Sequence, residues 1–170
     1  MSQTESGPDD GEVSRLLAGA AKTIARVRYC WLVTEAESGG TSARPMGRLL
    51  SDADENDWTI RFLTDSRSRK TSHIRRAGKL GLTFQHDQDD AFVLLSGRAS
   101  LIETASEVCR LWKSAYTAHF PTEADRANAI FIAVNVERME LWIRGVTPEP
   151  FGIRATVLER DAADIWRLSS

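Results

Sequence analysis

The residues most able to do chemistry lie in one short stretch, Phe62–Lys70, which reads FLTDSRSRK. An apolar, alternating run ends at Thr64, and Ser66, Arg67, Ser68, Arg69 and Lys70 follow at once. Ser66 or Ser68 can cap a short basic helix running to Ala77. Three cations and three hydroxyls then gather where free backbone N–H groups and the positive end of the helix dipole favour an anion. Arginine offers a planar donor fork for phosphate oxygens and lysine a compact point charge, so a monophosphate ester is the natural guest. Composition alone does not separate this reading from a solvated basic helix face, because Arg75, Arg76 and Lys79 come next. His73, one turn beyond Arg69, could reach the same anion.

A second unusual run is Ser42-Ala43-Arg44-Pro45-Met46. Proline removes a ladder donor, which assigns the run to an edge or bulged strand and leaves Arg44 either aimed inward or on the surface. Other reactive types are scattered. The three histidines show no zinc-like spacing with cysteine, and no metal site is expected. Cys30 and Cys109 sit in separate apolar runs and read as reduced, buried thiols. No nucleophile–base arrangement can be drawn. The five tryptophans read first as core.

These groups need a scaffold. Helical spacing is expected from Gly11 to about Arg26, at 68–77 and at 106–120, where Pro121 stops it. Strands are expected at 28–34, 58–64, 80–86, 91–103 and 153–159, with a bulge or bend at Gly97 and a polar turn at 52–57. The 129–145 run is too long for one flat strand and should bend or divide around Val136–Arg138. Few helices, not alternating with the strands, exclude a doubly wound fold and favour a barrel with helical covers. No Gly-x-Gly-x-x-Gly or Walker A loop is present.

Taken together, S-x-R-P-M followed by W-x-x-x-F-x-T-x-x-x-S-R-K resembles the pyridoxamine 5′-phosphate oxidase-like superfamily, nearest its general stress protein 26-type, FMN-binding branch. The later runs LSGRASLIE, LWKSAYTAHFP and VERMELWIRG fit in order and spacing, so the likeness spans roughly Arg15 to Gly145. It implies a mainly β (α+β) fold, a six-stranded antiparallel split β-barrel with flanking helices. It further implies FMN as cofactor, held in a homodimer with the flavin at the subunit interface. Arg44, with Pro45 and Met46, would line the ring or ribityl region, and Leu63 and Thr64 would touch the ring through backbone groups. Ser68, Arg69 and Lys70 would bind the phosphate. Gln85, on a strand that contributes polar contacts there, and Trp142, as a C-terminal aromatic near the flavin, match that pocket more weakly. Arg48 could stand in for the oxidase's second basic side chain, and Trp166-Arg167-Leu168 for its C-terminal substrate motif. The implied activity is that of an FMN-dependent oxidoreductase of unknown substrate. Non-catalytic flavin sequestration by a stress protein, or a barrel holding F420 or haem, are the alternatives.

Bulk properties agree with that class. The 170 residues suit one domain at 11–170 behind a polar N-terminus, 1–10, expected to be disordered. A net charge of −2 gives no reason to expect nucleic acid. No apolar run approaches the roughly 20 residues that span a bilayer. The acidic start, MSQTESGPDDGE, does not read as a secretory signal, and the expectation is a cytoplasmic protein.

Overall fold

The computed structural model describes residues 8–49 and 58–169. The expected turn at 52–57 and residues 1–7 of the N-terminal segment lie outside the described residues. Helix α1 spans Pro8–Arg26, starting ahead of the expected Gly11. Its Val13, Leu16, Ala20 and Ile24 recur at helical spacing and are buried against the sheet. Strands β1 (Tyr29–Glu35) and β2 (Thr41–Gly47) form a hairpin around the expected Gly-Gly turn, where Gly39 takes φ +83°. Strand β3 (Thr59–Asp65) feeds helix α2 (Arg69–Ala77), and β4 (Lys79–His86) and β5 (Ala91–Ile102) follow. Short helices α3 (Ala105–Leu111) and α4 (Glu123–Ala127) precede the long strand β6 (Ala129–Ile143). Strands β7 (Thr156–Arg160) and β8 (Trp166–Leu168) close the chain.

All described strand pairs are antiparallel, in the order β2-β1-β4-β5-β6-β7-β8, with β3 also paired to β6. The expected split-barrel architecture with flanking helices holds, but the strand count does not: eight strands, not six, appear among the described residues. The β7–β8 hairpin accounts for the excess over six: β7 is the strand expected at 153–159, and the three-residue β8 pairs with it.

β6 is where the sheet splits. Its first half, Ala129–Asn135, pairs with β3, while Arg138–Leu141 pairs on the same side with β7. Between them the register against β5 slips, Ser96 facing Arg138 and Gly97 facing Val136, so Glu137 is the bulged residue. This is the bend expected at Val136–Arg138. Gly97 is required there, because a Cβ would lie 2.1 Å from the Asn135 carbonyl oxygen.

The sheet is not closed. Among the described residues β2 is an edge strand with β1 as its only strand partner, the position Pro45 demands. One bond, Leu49 N–H to the Arg61 carbonyl at 2.8 Å, links the chain after β2 to β3. Inside, Leu32, Phe62, Leu82, Phe84, Val93, Ile132 and Leu141 are fully buried. Outside, Trp31 lies opposite Pro45 and Thr83, and Phe92 opposite Trp142. Trp31 and Tyr29 on this outer face are 53% and 57% exposed.

The helix expected at 106–120 is corrected. α3 stops at Leu111, Trp112 is extended, and a 3₁₀ turn covers Ser114–Ala118. In one straight helix Trp112 and Phe120 would stand about 12 Å apart. Here their rings meet edge to face at 6.2 Å, with Tyr116 also contacting Trp112 and Phe131. The break lets the aromatic side chains of this segment pack on one another. Cys109 is exposed on α3, against the expectation of burial, whereas Cys30 is buried and its thiol is pushed up to about 12 by desolvation. Neither thiol is part of the site described next.

Candidate functional site

The β1–β2 hairpin and the start of α2 enclose an open cleft of about 540 Å³. Alternation along β2 turns Ser42, Arg44 and Met46 to the half-buried side and Pro45 to the exposed one. Register places Arg44 beside Leu32 and Ser42 beside Thr34. From the other wall, α2 brings Arg69, Lys70 and His73 to the cleft, with Ser68 at its N-cap. The helix is held there by Ile74 and Thr71, both buried, and by Thr71 Oγ1, which bonds the Asp65 carbonyl at 3.2 Å and Ser68 Oγ at 2.8 Å.

Thus Arg44, Ser68, Arg69 and Lys70, expected from two separate motifs, line one cleft. Among the described residues no carboxylate forms an ion pair with Arg44, Arg69 or Lys70. Their strongest charged influences are one another, with Asp65 acting more weakly on Lys70 and Glu37 on the cleft rim. Burial and then Arg69 pull the Arg44 guanidinium below its ordinary value, and burial and then Arg44 do the same to the Lys70 ammonium. The first turn of α2 holds no acidic residue, so basic side chains sit at the positive end of the dipole. The other cations nearby are engaged. Arg67 bonds Asp65 at 2.6 and 3.0 Å, holding that carboxyl at about 2. Arg75 pairs with Glu103, and Arg76 bonds the Glu35 carbonyl at 3.3 Å.

Arg44 is held by one nitrogen. Its Nη2 donates to Thr34 Oγ1 at 2.9 Å and Ser42 Oγ at 2.8 Å. Thr34, only 3% exposed, has His73 Nδ1 on its other side at 3.3 Å. Sequence reasoning passed over Thr34, although a threonine after Cys30 and Leu32 on the inward alternation is the one polar residue of that face.

The remaining expected residues lie elsewhere. Leu63 and Thr64 are on the strand leading to α2, Thr64 buried and Leu63 half-buried, and neither lines the cleft. Gln85 is about 13 Å along β4 from the register of Gly81 opposite Val33. It is exposed and donates to Asp87 Oδ1 at 2.5 Å. Trp142 sits beside Phe92 across from it. Within one chain these two do not meet the cleft. Arg48 donates to the Ile24 carbonyl at 3.2 Å, completing the C-terminal end of α1, and does not line the cleft. Trp166-Arg167-Leu168 is structural: Trp166 packs edge to face on Trp58 at 6.0 Å and Arg167 bonds Asp161.

A second cleft of equal volume lies between α1 and the 148–157 segment, lined by Glu12, Glu149, Ile153 and Arg154 among others. Its single cation among acids offers no comparable anion site. Among the described residues no three His, Cys, Asp or Glu side chains gather as a metal site, and no helix is long and apolar enough to cross a membrane.

Comparison with known proteins adds the following. A family model described as pyridoxamine 5′-phosphate oxidase like matches residues 18–153. No curated protein matches the chain. A protein from Clostridium acetobutylicum related to general stress protein 26 superposes with a TM-score of 0.68 at 15% identity, covering 87% of this chain and 95% of that one. A pyridoxamine 5′-phosphate oxidase-related, FMN binding protein from Nostoc punctiforme gives 0.65 at 16%, covering 99% and 98%. An F420 reductase gives 0.55 at 16%, covering 71% and 95%. At these identities the likeness is one of fold.

Proposed function

The chain belongs to the pyridoxamine 5′-phosphate oxidase-like family, and from that premise we propose that it is a flavoprotein binding FMN by its phosphate in the cleft between β2 and α2. The observation that carries this reading is the cluster of Arg44, Arg69 and Lys70 in one cleft, which form no ion pair with a carboxylate among the described residues, with Arg44 and Lys70 held low by burial and then by a neighbouring cation. Such a cluster fits a phosphate dianion, which would relieve the repulsion and complement the positive end of α2. Ser68 adds a hydroxyl. On this reading Arg44 serves the phosphate more directly than the ring, with Met46, Leu63 and Thr64 beyond it along the two strands and Pro45 on the opposite face.

The chemistry FMN supplies is two-electron transfer through its isoalloxazine ring. The chain's part is to bind and orient. Gln85 and Trp142 would reach a flavin only from a second copy, so we assign the exposed face carrying Tyr29, Trp31 and Pro45 to a homodimer in which each subunit completes the other's pocket. F420 has a longer acidic tail and would call on more cations, but Arg75 and Arg76 already hold Glu103 and the Glu35 carbonyl. Monophosphate is therefore favoured. The function is that of an FMN-dependent oxidoreductase acting in the cytoplasm. Non-catalytic flavin storage is the competing reading.

The test begins with the chain stripped of any bound flavin and titrated with FMN, followed by flavin fluorescence. Arg69→Ala and Lys70→Ala should each weaken binding by about 1.5–3 kcal/mol, roughly ten- to a hundredfold. Wild-type affinity in the double variant would refute the phosphate assignment. Rapid reduction of the bound flavin by NADH or NADPH would mark an enzyme; inertness would mark a store.

A further inference from the structure

The chain of contacts behind Arg44 reaches further than anion binding requires. Arginine can only donate, so Thr34 Oγ1 accepts from Arg44 Nη2. The hydroxyl hydrogen of Thr34 then needs an acceptor, since the group is buried. Among the described residues His73 Nδ1, at 3.3 Å, is the one side-chain acceptor within reach. Were Nδ1 protonated, two donors would converge on Thr34 and its own hydrogen would be stranded, beside Arg44, Arg69 and Lys70. All of Arg44's side-chain bonds, to Thr34 Oγ1, Ser42 Oγ and the Ser42 carbonyl, are made by Nη2. Nε and Nη1 are left without partners among the described residues.

We propose that Thr34 and His73 are positioning residues for the anion site: His73, with its proton on Nε2, orients the Thr34 hydroxyl, and Thr34 pins Arg44 by Nη2 so that the guanidinium is held in place with Nε and Nη1 as the donors left for a phosphate. A freely rotating Arg44 would spend side-chain entropy on each binding event, which prior fixing removes. This inference rests on the reading of the cleft as a phosphate site, and it assigns Thr34 and His73 a role that packing alone would not give them.

Two measurements test it. Nitrogen NMR of the ligand-free chain should show His73 Nδ1 as unprotonated and Nε2 as protonated, with Thr34→Val abolishing that bias and Thr34→Ser keeping it. A protonated Nδ1 in the wild type would overturn the relay. The second is a double-mutant cycle on FMN affinity. Thr34→Val should weaken binding about tenfold in the wild-type background and less than about twofold once Arg44→Met has removed the residue it acts through. Thr34→Ser should restore affinity. An equal loss in both backgrounds would mean Thr34 acts only on the fold, and would sink the proposal. If the wild type binds no FMN, the flavin reading falls; the nitrogen spectrum, and the same cycle run with inorganic phosphate as probe, still decide whether Thr34 positions Arg44.

Discussion

At the scale of residues, the cleft is a place where stability and binding oppose each other. Lys70 is half-buried, and burial followed by Arg44 holds its ammonium below the ordinary lysine value. The folded value lies below the unfolded one, so the charged form costs stability at every pH beneath the folded value. That cost fades as pH rises towards the unfolded value. Lys70→Met keeps the stem and removes the charge. The ligand-free variant should melt at a higher temperature than wild type at neutral pH, while its FMN affinity falls about tenfold or more. Calorimetry with and without FMN checks both halves, and a lower melting point without ligand would show that Lys70 is already compensated. Arg67 offers the contrast: it is more exposed and is spent on Asp65, which is why three neighbouring cations of one motif are not equivalent.

At the scale of elements, the fold depends on how β5 crosses β6 at the bulge. A methyl group on Gly97 would meet backbone atoms of Asn135 and Val136 at 2.1–3.0 Å, none of which can swing aside as a side chain could. Gly97→Ala should lower the unfolding free energy by about 2–3 kcal/mol, read from the denaturant midpoint. An unchanged midpoint would mean that the bulge shifts freely. Much of this level was legible in the sequence. A glycine inside an apolar run and a 129–145 stretch too long for one strand both announced the bend, and Pro45 announced the edge strand. The motif FLTDSRSRK placed Ser68, Arg69 and Lys70 because local caps and charges act over a few residues. What was not legible depended on distant contacts. The 106–120 segment has a helical stripe, yet its aromatic rings satisfy one another by folding back. Arg48 has the right residue type and the wrong surroundings. Thr34 matters only because β2 and α2 deliver Arg44 and His73 to either side of it.

At the scale of the whole molecule, the outer face of the sheet is the unfinished part. Trp31 and Tyr29 stand more than half exposed on it, beside Pro45 and in register with the Thr83–Leu94 pair. A second copy covering this face would bury them, so Trp31→Arg should shift sedimentation equilibrium from dimer to monomer. The same variant should lose FMN affinity if the partner completes the pocket; a monomeric wild type would refute the dimer. The edge position of β2 has one more consequence. Among the described residues its backbone is paired with a strand on one side only, Pro45 contributes no amide hydrogen, and a bond from Leu49 to Arg61 ties its end to β3. Amide hydrogens of β2 should therefore exchange with deuterium sooner than those of the doubly flanked β5 and β6. Once an anion bridges Arg44 to Arg69 and Lys70, that exchange should slow in β2 before anywhere else. The strand that carries the gripping arginine should then also be the one whose exchange reports the bound ligand most directly.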